Sequence, residues 1–412
     1  LGDLERIHMC LAKIPAKDLL DTLNAERKNG RNDYPNEMLL NILIVKTICQ
    51  CDTMEKIRRE LLRNPTLRRI CGLKDEDYRY GKKDLVPEPR VFTLFLKRLE
   101  KHQDLLDIMF LSLTEDMYEL IPGFGEELAG DGKYLDSYAP NDHHKDCGDG
   151  RCESDARYSI KEYAYKDAQG KTKKKKETHY GHREHVIVDA KTELPIVFDV
   201  TPANVGEREV MLKLLDSMSN NAIDKAKYLI LDRGYDGIKF QKKIKKKGIK
   251  PIVDNRIMRK GDATIQYKNS NIYYTEAGWV YYLDYELGEE IDDVTGLPKY
   301  FAPMKYEGYD KIRNSLRYSY KGKAHRIKVT EDERVFNEVA RDSKKFKRLY
   351  NKRTSVERYN GRIDRDYGFE NHTIRGLKKM KLMVTLVNII MLVLAKAHIH
   401  KEQTNYASML KF

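Results

Sequence analysis

The stretch Tyr228-Leu-Ile-Leu-Asp-Arg-Gly-Tyr-Asp236 runs three aliphatic residues directly into an acid, a base and a glycine. A short apolar run closed by a turn signal reads as a buried strand over residues 228–231. Asp232 then stands at the strand's carboxyl end, where open α/β sheets bind ligands. An acid there is also an ordinary strand-end or capping residue, so this motif alone leaves both readings open. Downstream, residues 238–247 predict a helix with a basic face, and residues 251–253 another strand. Upstream, residues 207–218 predict a helix, and residues 185–189 and 195–200 an antiparallel pair. Residues 128–135 predict a short strand carrying Asp131 between Gly130 and Gly132. A lone acid of that kind is more often a turn residue. The stretch between, ending in lysines 173–176, reads as a hydrophilic loop. Strand, strand, strand, helix, strand, helix, strand is a mixed α/β order.

Residues 1–121 are helical in pattern. Pro35 opens a run in which Met38, Leu39, Ile42, Leu43, Val45 and Ile48 recur at helical spacing; Asp52 with Glu55 forms a capping-box pattern; Asn64-Pro65 restarts a short helix that Gly72 stops; Pro87 and Pro89 precede a third. Arg58, Arg59, Arg63, Arg68, Arg69, Lys97 and Arg98 fit either a helix-turn-helix DNA-binding unit or a bundle with a solvated basic face. Beyond residue 258 eleven tyrosines and Trp279 sit among β formers and turn signals, which predicts a β-rich insertion. Helix returns over residues 331–366 and 376–400. The apolar stretch 383–395 contains Asn388 and is shorter than the ~20 residues of a bilayer span, so it reads as a buried helix.

The chain has 412 residues, 77 Lys+Arg against 64 Asp+Glu for a net charge of +13, and 41% hydrophobic residues. That length and composition exclude wholesale disorder and a membrane bundle. The positive balance favours a polyanionic partner. Six scattered cysteines form no disulfide framework, which suggests a reducing compartment. The chain begins at Leu1 rather than Met, so no targeting signal is read from it.

A third acid, Glu357, follows Tyr350 and Arg353 at spacings that bring all three onto one helical face. An isolated Arg/Glu pair so spaced is ordinarily a surface ion pair of about 0.3–0.5 kcal/mol. Together, however, the motifs resemble the DDE transposases of bacterial insertion sequences, in the group with a Tyr-x2-Arg-x3-Glu-x6-Lys signature and a β insertion before its glutamate. The matching residues are Gly130-Asp131-Gly132, Asp232-Arg233-Gly234-Tyr235-Asp236, and Tyr350, Arg353 and Glu357. Residues 180–189, Leu194-Pro195 and Thr201-Pro-Ala-Asn204 resemble that family's second and third strands. The likeness spans about residues 128–397. It departs at the signature lysine, where this chain has Asp364 with Arg362 and Arg365 on either side.

The resemblance implies an α/β protein: a ribonuclease-H-like mixed-sheet core interrupted by a β-rich insertion and preceded by an all-α region. The implied divisions are 1–121 (helical, DNA-binding), 122–257 (first part of the core), 258–330 (insertion) and 331–412 (helical remainder). It implies that Asp131, Asp232 and Glu357 are catalytic and hold two Mg²⁺, with Mn²⁺ able to substitute. Three clustered carboxylates without cations would repel one another and take up protons. The implied reaction is cleavage at transposon ends and strand transfer into target DNA by in-line displacement, with no covalent protein intermediate. Tyr350, Arg353, Arg362, Arg365, Arg233, Tyr235, Lys242, Lys246 and Trp279 are expected at the DNA.

The expected partners are double-stranded DNA, as terminal inverted repeats and as target, and a second copy of the chain, with no membrane. The expected location is the bacterial cytoplasm, at the nucleoid. Two other readings are a non-catalytic DNA-binding regulator on the same fold and a metal-dependent nuclease that never joins ends. Trp279, the sole tryptophan, either fills the insertion's small core or stacks on a flipped base. His143, His144, Cys147 and Cys152 are either loop residues or a zinc site.

Overall fold

Among the described residues the helical periodicity of the N-terminal region becomes seven helices, α1 (Asp3–Lys13), α2 (Lys17–Ala25), α3 (Asn36–Ile48), α4 (Met54–Arg63), α5 (Pro65–Ile70), α6 (Pro89–Leu99) and α7 (Gln103–Leu120). The structure, a computed structural model, describes residues 2–27, 34–73, 85–139, 153–166, 172–257 and 264–399. The four residues of the possible zinc site lie outside them. Helix α4 is capped one residue later than expected: the Thr53 side chain accepts from the Lys56 amide at 3.2 Å, while Asp52 pairs with the Lys56 ammonium. Asn64 caps α5 through the Leu67 amide at 3.1 Å. On α4, Arg58 and Arg63 are matched to Glu55 and Glu60.

The central sheet contains β1 (Glu127–Asp136), β2 (Arg157–Lys166), β3 (Thr172–Asp189), β4 (Pro195–Pro202), then, after α8 (Glu207–Ser217) and α9 (Asn220–Lys225), β5 (Tyr228–Leu231), and, after α10 (Ile238–Lys246), β6 (Lys250–Val253). β3 is antiparallel to both β1 and β4, whereas β5 runs parallel to β1 and β6 parallel to β5. Leaving β2 aside, the order is β4-β3-β1-β5-β6. This is third, second, first, fourth and fifth core strands with the second reversed, the ribonuclease-H-like arrangement. The apolar run over 228–231 lacks alternation because β5 lies between β1 and β6 in the parallel part of the sheet, buried on both faces.

Of the hydrophilic loop expected between β1 and the lysine run, residues 157–166 and those from 172 onward are strand instead. β2 pairs with the outer half of β3, from Arg157↔Gly181 to Lys166↔Thr172, and the exposed lysines 173–176 ride on that ribbon. A ribbon wet on both faces has no apolar alternation to betray it. Gly181 is the hand-over residue, because β4 begins pairing at His182. Its φ is +153°, and a Cβ there would lie 2.3 Å from the Leu135 carbonyl oxygen, so only glycine fits.

Beyond residue 264 the expected β insertion forms two small sheets. One contains β7 (Ile265–Gln266), β8 (Ile272–Tyr274), β9 (Val280–Leu283) and β10 (Phe301–Pro303); the other contains β11 (Lys305–Asp310), β12 (Ser315–Tyr320) and β13 (Lys323–Lys328). They share an apolar cluster of their own that includes Tyr267, Tyr318 and Phe336. Trp279 is not part of it: the side chain is 55% exposed, contrary to the core-filling reading.

The single helix expected over 331–366 is broken. After an irregular segment, Ser343 caps α11 (Lys344–Tyr350) through the Phe346 amide, a 3₁₀ turn covers Asn351–Arg353, and α12 (Thr354–Arg365) follows. The last helix, α13 (Leu377–Ile399), is apolar and long enough to cross a membrane by composition, yet most of it is buried inside this fold against α7, α1 and β4.

Candidate active site

Parallel pairing of β1 with β5 ends at Gly130↔Leu231. Asp131 and Asp232 are therefore the next residues on neighbouring strands, which lie about 4.8 Å apart in such sheets. Burial pushes the Asp131 carboxyl up to about 6; the charges of Asp232 and Glu207 push the same way, against a hydrogen bond from the Gly132 amide. Asp232 accepts the Gly234 amide at 2.7 Å, which turns the chain sharply after the strand. A Cβ on residue 234 would sit 2.7 Å from Asp232 Oδ1, so the glycine keeps that carboxylate unobstructed.

Glu357 lies in the first turn of α12, half exposed, and Arg353 donates to its Oε1 at 2.6 Å. The charge of Asp131 also reaches Arg353, besides that of Glu357. Tyr350 stacks on Phe346 with ring centroids 5.7 Å apart, and the charge of Asp232 reaches its phenol. The 3₁₀ turn between Tyr350 and α12 does not separate these groups. Among the described residues, however, no three His, Cys, Asp or Glu side chains are grouped to hold a metal ion. The structure thus brings Asp131 and Asp232 together and leaves Glu357 tied to Arg353.

Two residues expected at DNA are placed elsewhere. Arg362 is buried and paired with Glu193, which Arg358 also engages. Tyr235 is fully buried; burial and the charges of Glu207, Asp131 and Asp232 hold its phenol far above the usual range and so neutral. The other basic candidates are exposed, with partners of their own in two cases. Arg233 pairs with Asp254 and Lys242 with Glu333 at 2.7 Å, whereas Lys246 and Arg365 lie on the surface.

Sequence reasoning missed several neighbours. Glu207, in the first turn of α8, receives Arg183 at 2.7 Å. Its signal was an acid opening the helix that follows the antiparallel pair. At the departing position of the signature, Asp364 pairs with Lys133 of β1 at 2.6 Å. Lys133 follows Asp131 by two residues, so strand alternation puts both on the same side of β1.

A model of the transposase DDE domain matches residues 144–394, and one of a transposase domain (DUF772) matches residues 5–98. The chain belongs to the transposase DDE domain family. This DDE-type DNA transposase carries Asp232 and Glu357 inside the matched segment, while Asp131 precedes it. Family membership implies dependence on divalent metal in general. Comparison with curated proteins gives no match. Among solved structures, the piggyBac transposase in a synaptic complex with hairpin DNA is similar at 9% identity, covering 99% of this chain and 78% of that one, with a TM-score of 0.38. That score is too low to carry any part of the assignment.

Proposed function

We propose that this transposase cleaves DNA at the ends of its element and joins them to target DNA by in-line phosphodiester displacement, with Asp131, Asp232 and Glu357 as its three acids. The observation that carries this reading is the adjacency of Asp131 and Asp232 just past the end of the parallel β1–β5 pairing, with Asp131 raised to about 6 by burial and by neighbouring charge. A pocket that makes its own acids repel is suited to cations, and an all-oxygen donor set suits Mg²⁺, with Mn²⁺ as a substitute. When bound, a pair of such ions supplies neutralising charge for the attacking and leaving oxygens.

The protein's own residues account for the rest. Asp131 and Asp232 would hold the cations; the glycine turn after Asp232 keeps its carboxylate open. Glu357 joins them by exchanging Arg353, a rearrangement within adjacent turns of one segment. Arg353, released, grips a phosphate beside the cut with Tyr350; guanidinium–phosphate bonds are charge-assisted and geometrically specific. Exposed Arg233, Arg365, Lys242 and Lys246 position the duplex, and exposed Trp279 is available to stack on a base. The helical region 1–121 recognises terminal inverted repeats, 122–257 and 331–412 form the core, and 258–330 helps to hold DNA. Two ends require two active sites, so the working unit is a homodimer on DNA, acting at the bacterial nucleoid.

A pre-cut transposon end incubated with plasmid tests the proposal. Joined product supports it. Cutting without joining points to a nuclease, and binding alone to a regulator; either outcome removes the strand-transfer claim.

A further inference from the structure

A groove of about 640 Å³ opens between α8 and α10, directly behind the turn that follows Asp232. Its lining includes five cations and two acids. Arg208 and Arg256 both donate to the Gly234 carbonyl, at 2.8 and 3.3 Å, and Arg256 also donates to the Arg233 carbonyl at 3.1 Å. This fixes two guanidiniums on the wall nearest the acids. Of the two acids, Asp236 is buried and already bonded to Arg334 at 2.9 Å, so it presents little charge; Glu209 is exposed on the rim.

Lys239 and Lys243 line the opposite wall. They are four residues apart and so share one face of α10. Both are exposed, and among the described residues neither has an acidic partner, unlike Lys242 on the neighbouring stripe. Between the walls the floor is apolar, from Leu212 and the 42% exposed Ile238. A trough with cations on both walls and an apolar floor matches a polymer with regularly spaced anions and apolar sugar between them.

We infer that this groove holds the sugar-phosphate backbone of one DNA strand as it leaves the acids, with Lys239 and Lys243 as phosphate contacts. The inference rests on the DNA-cutting reading above and names a track that the family motifs do not contain. Its contacts are electrostatic and independent of base sequence.

The test uses the full chain with Lys239→Gln and Lys243→Gln combined, two exposed positions whose change leaves the core intact. Binding to a labelled duplex and to a labelled single strand is measured in EDTA from 50 to 200 mM salt. Each lost contact flattens the slope of log affinity against log salt by about 0.9 for duplex and about 0.7 for single strand. The double variant should therefore flatten it by about 1.8 or about 1.4, so that across this range wild type loses about 12-fold more duplex affinity than the variant. Flattening on either probe supports the track and tells which form of DNA enters it. Wild-type binding with an unchanged slope in the variant on both probes overturns the track alone. Absence of salt-dependent wild-type binding removes the DNA-cutting reading as well.

Discussion

Replacing Asp131 with Asn keeps the shape of the side chain and removes a charge that the fold holds at a cost. Burial raises its carboxyl from 3.8 to about 6, and at about 1.36 kcal/mol for each tenfold change in proton affinity the ionised form costs about 3 kcal/mol. The folded value lies above the unfolded one. The fold therefore has the full benefit of the protonated acid below about pH 4 and loses it as pH rises through 6. In EDTA at pH 7.5, D131N should be more stable than wild type by up to about 3 kcal/mol, and at pH 5 by about half that. With an unfolding entropy of about 2.1 cal/mol/K per residue, 3 kcal/mol corresponds to about 3–4 °C if the chain melts as one.

The assay is a thermal melt of both proteins at the two pH values, with and without Mg²⁺. Mg²⁺ at 100 times its Kd should close most of that gap at pH 7.5, because it adds about 2.7 kcal/mol to wild type and far less to the variant. A D131N protein no more stable than wild type in EDTA at pH 7.5, or a gap that does not narrow at pH 5, would refute the reasoning.

Three further outcomes are expected. Gly181→Ala, whose new Cβ would meet the Leu135 carbonyl where β3 changes partners, should cost more than about 3 kcal/mol and show as loss of soluble folded protein or a sharply lowered melting temperature; a wild-type melt would contradict the geometry. Tyr359→Phe removes a buried hydroxyl that bonds Glu184 at 2.6 Å and Asn388 at 2.8 Å, and should destabilise by about 1–3 kcal/mol in denaturant titration. Arg353→Gln should lower kcat for end cleavage by at least tenfold while leaving the melting temperature within about 1 °C, since the ion pair it breaks is half exposed and worth at most about 1 kcal/mol.

What could be read from sequence was local. The strands under Asp131 and Asp232 announced themselves through short apolar runs and glycines, and the core order followed. The Tyr-Arg-Glu spacing pointed to helix there, but not to the 3₁₀ turn at Asn351–Arg353 that divides it into α11 and α12. What could not be read depended on partners far along the chain. Arg362 is withdrawn from the surface by Glu193, a residue at φ +63° in the β3–β4 turn, and nothing near Arg362 in sequence marks that pairing. Lys133 and Asp364 meet across 231 positions. The ribbon of β2 and β3 hid because neither face is buried. Trp279 was ambiguous because a lone aromatic in a β segment has no periodicity to say which side it faces.

The account turns on three acids acting as one cation-holding set, although Glu357 is engaged by Arg353 in this conformation. Its most direct test is product mapping on DNA bearing the repeats that flank the gene, with Mg²⁺ or EDTA, for wild type and for D131N, D232N and E357Q. Mg²⁺-dependent cutting at the element boundary by wild type, lost in all three variants while their DNA affinity is kept, is the predicted result. Wild-type cutting in EDTA, or full activity in any one variant, would contradict it.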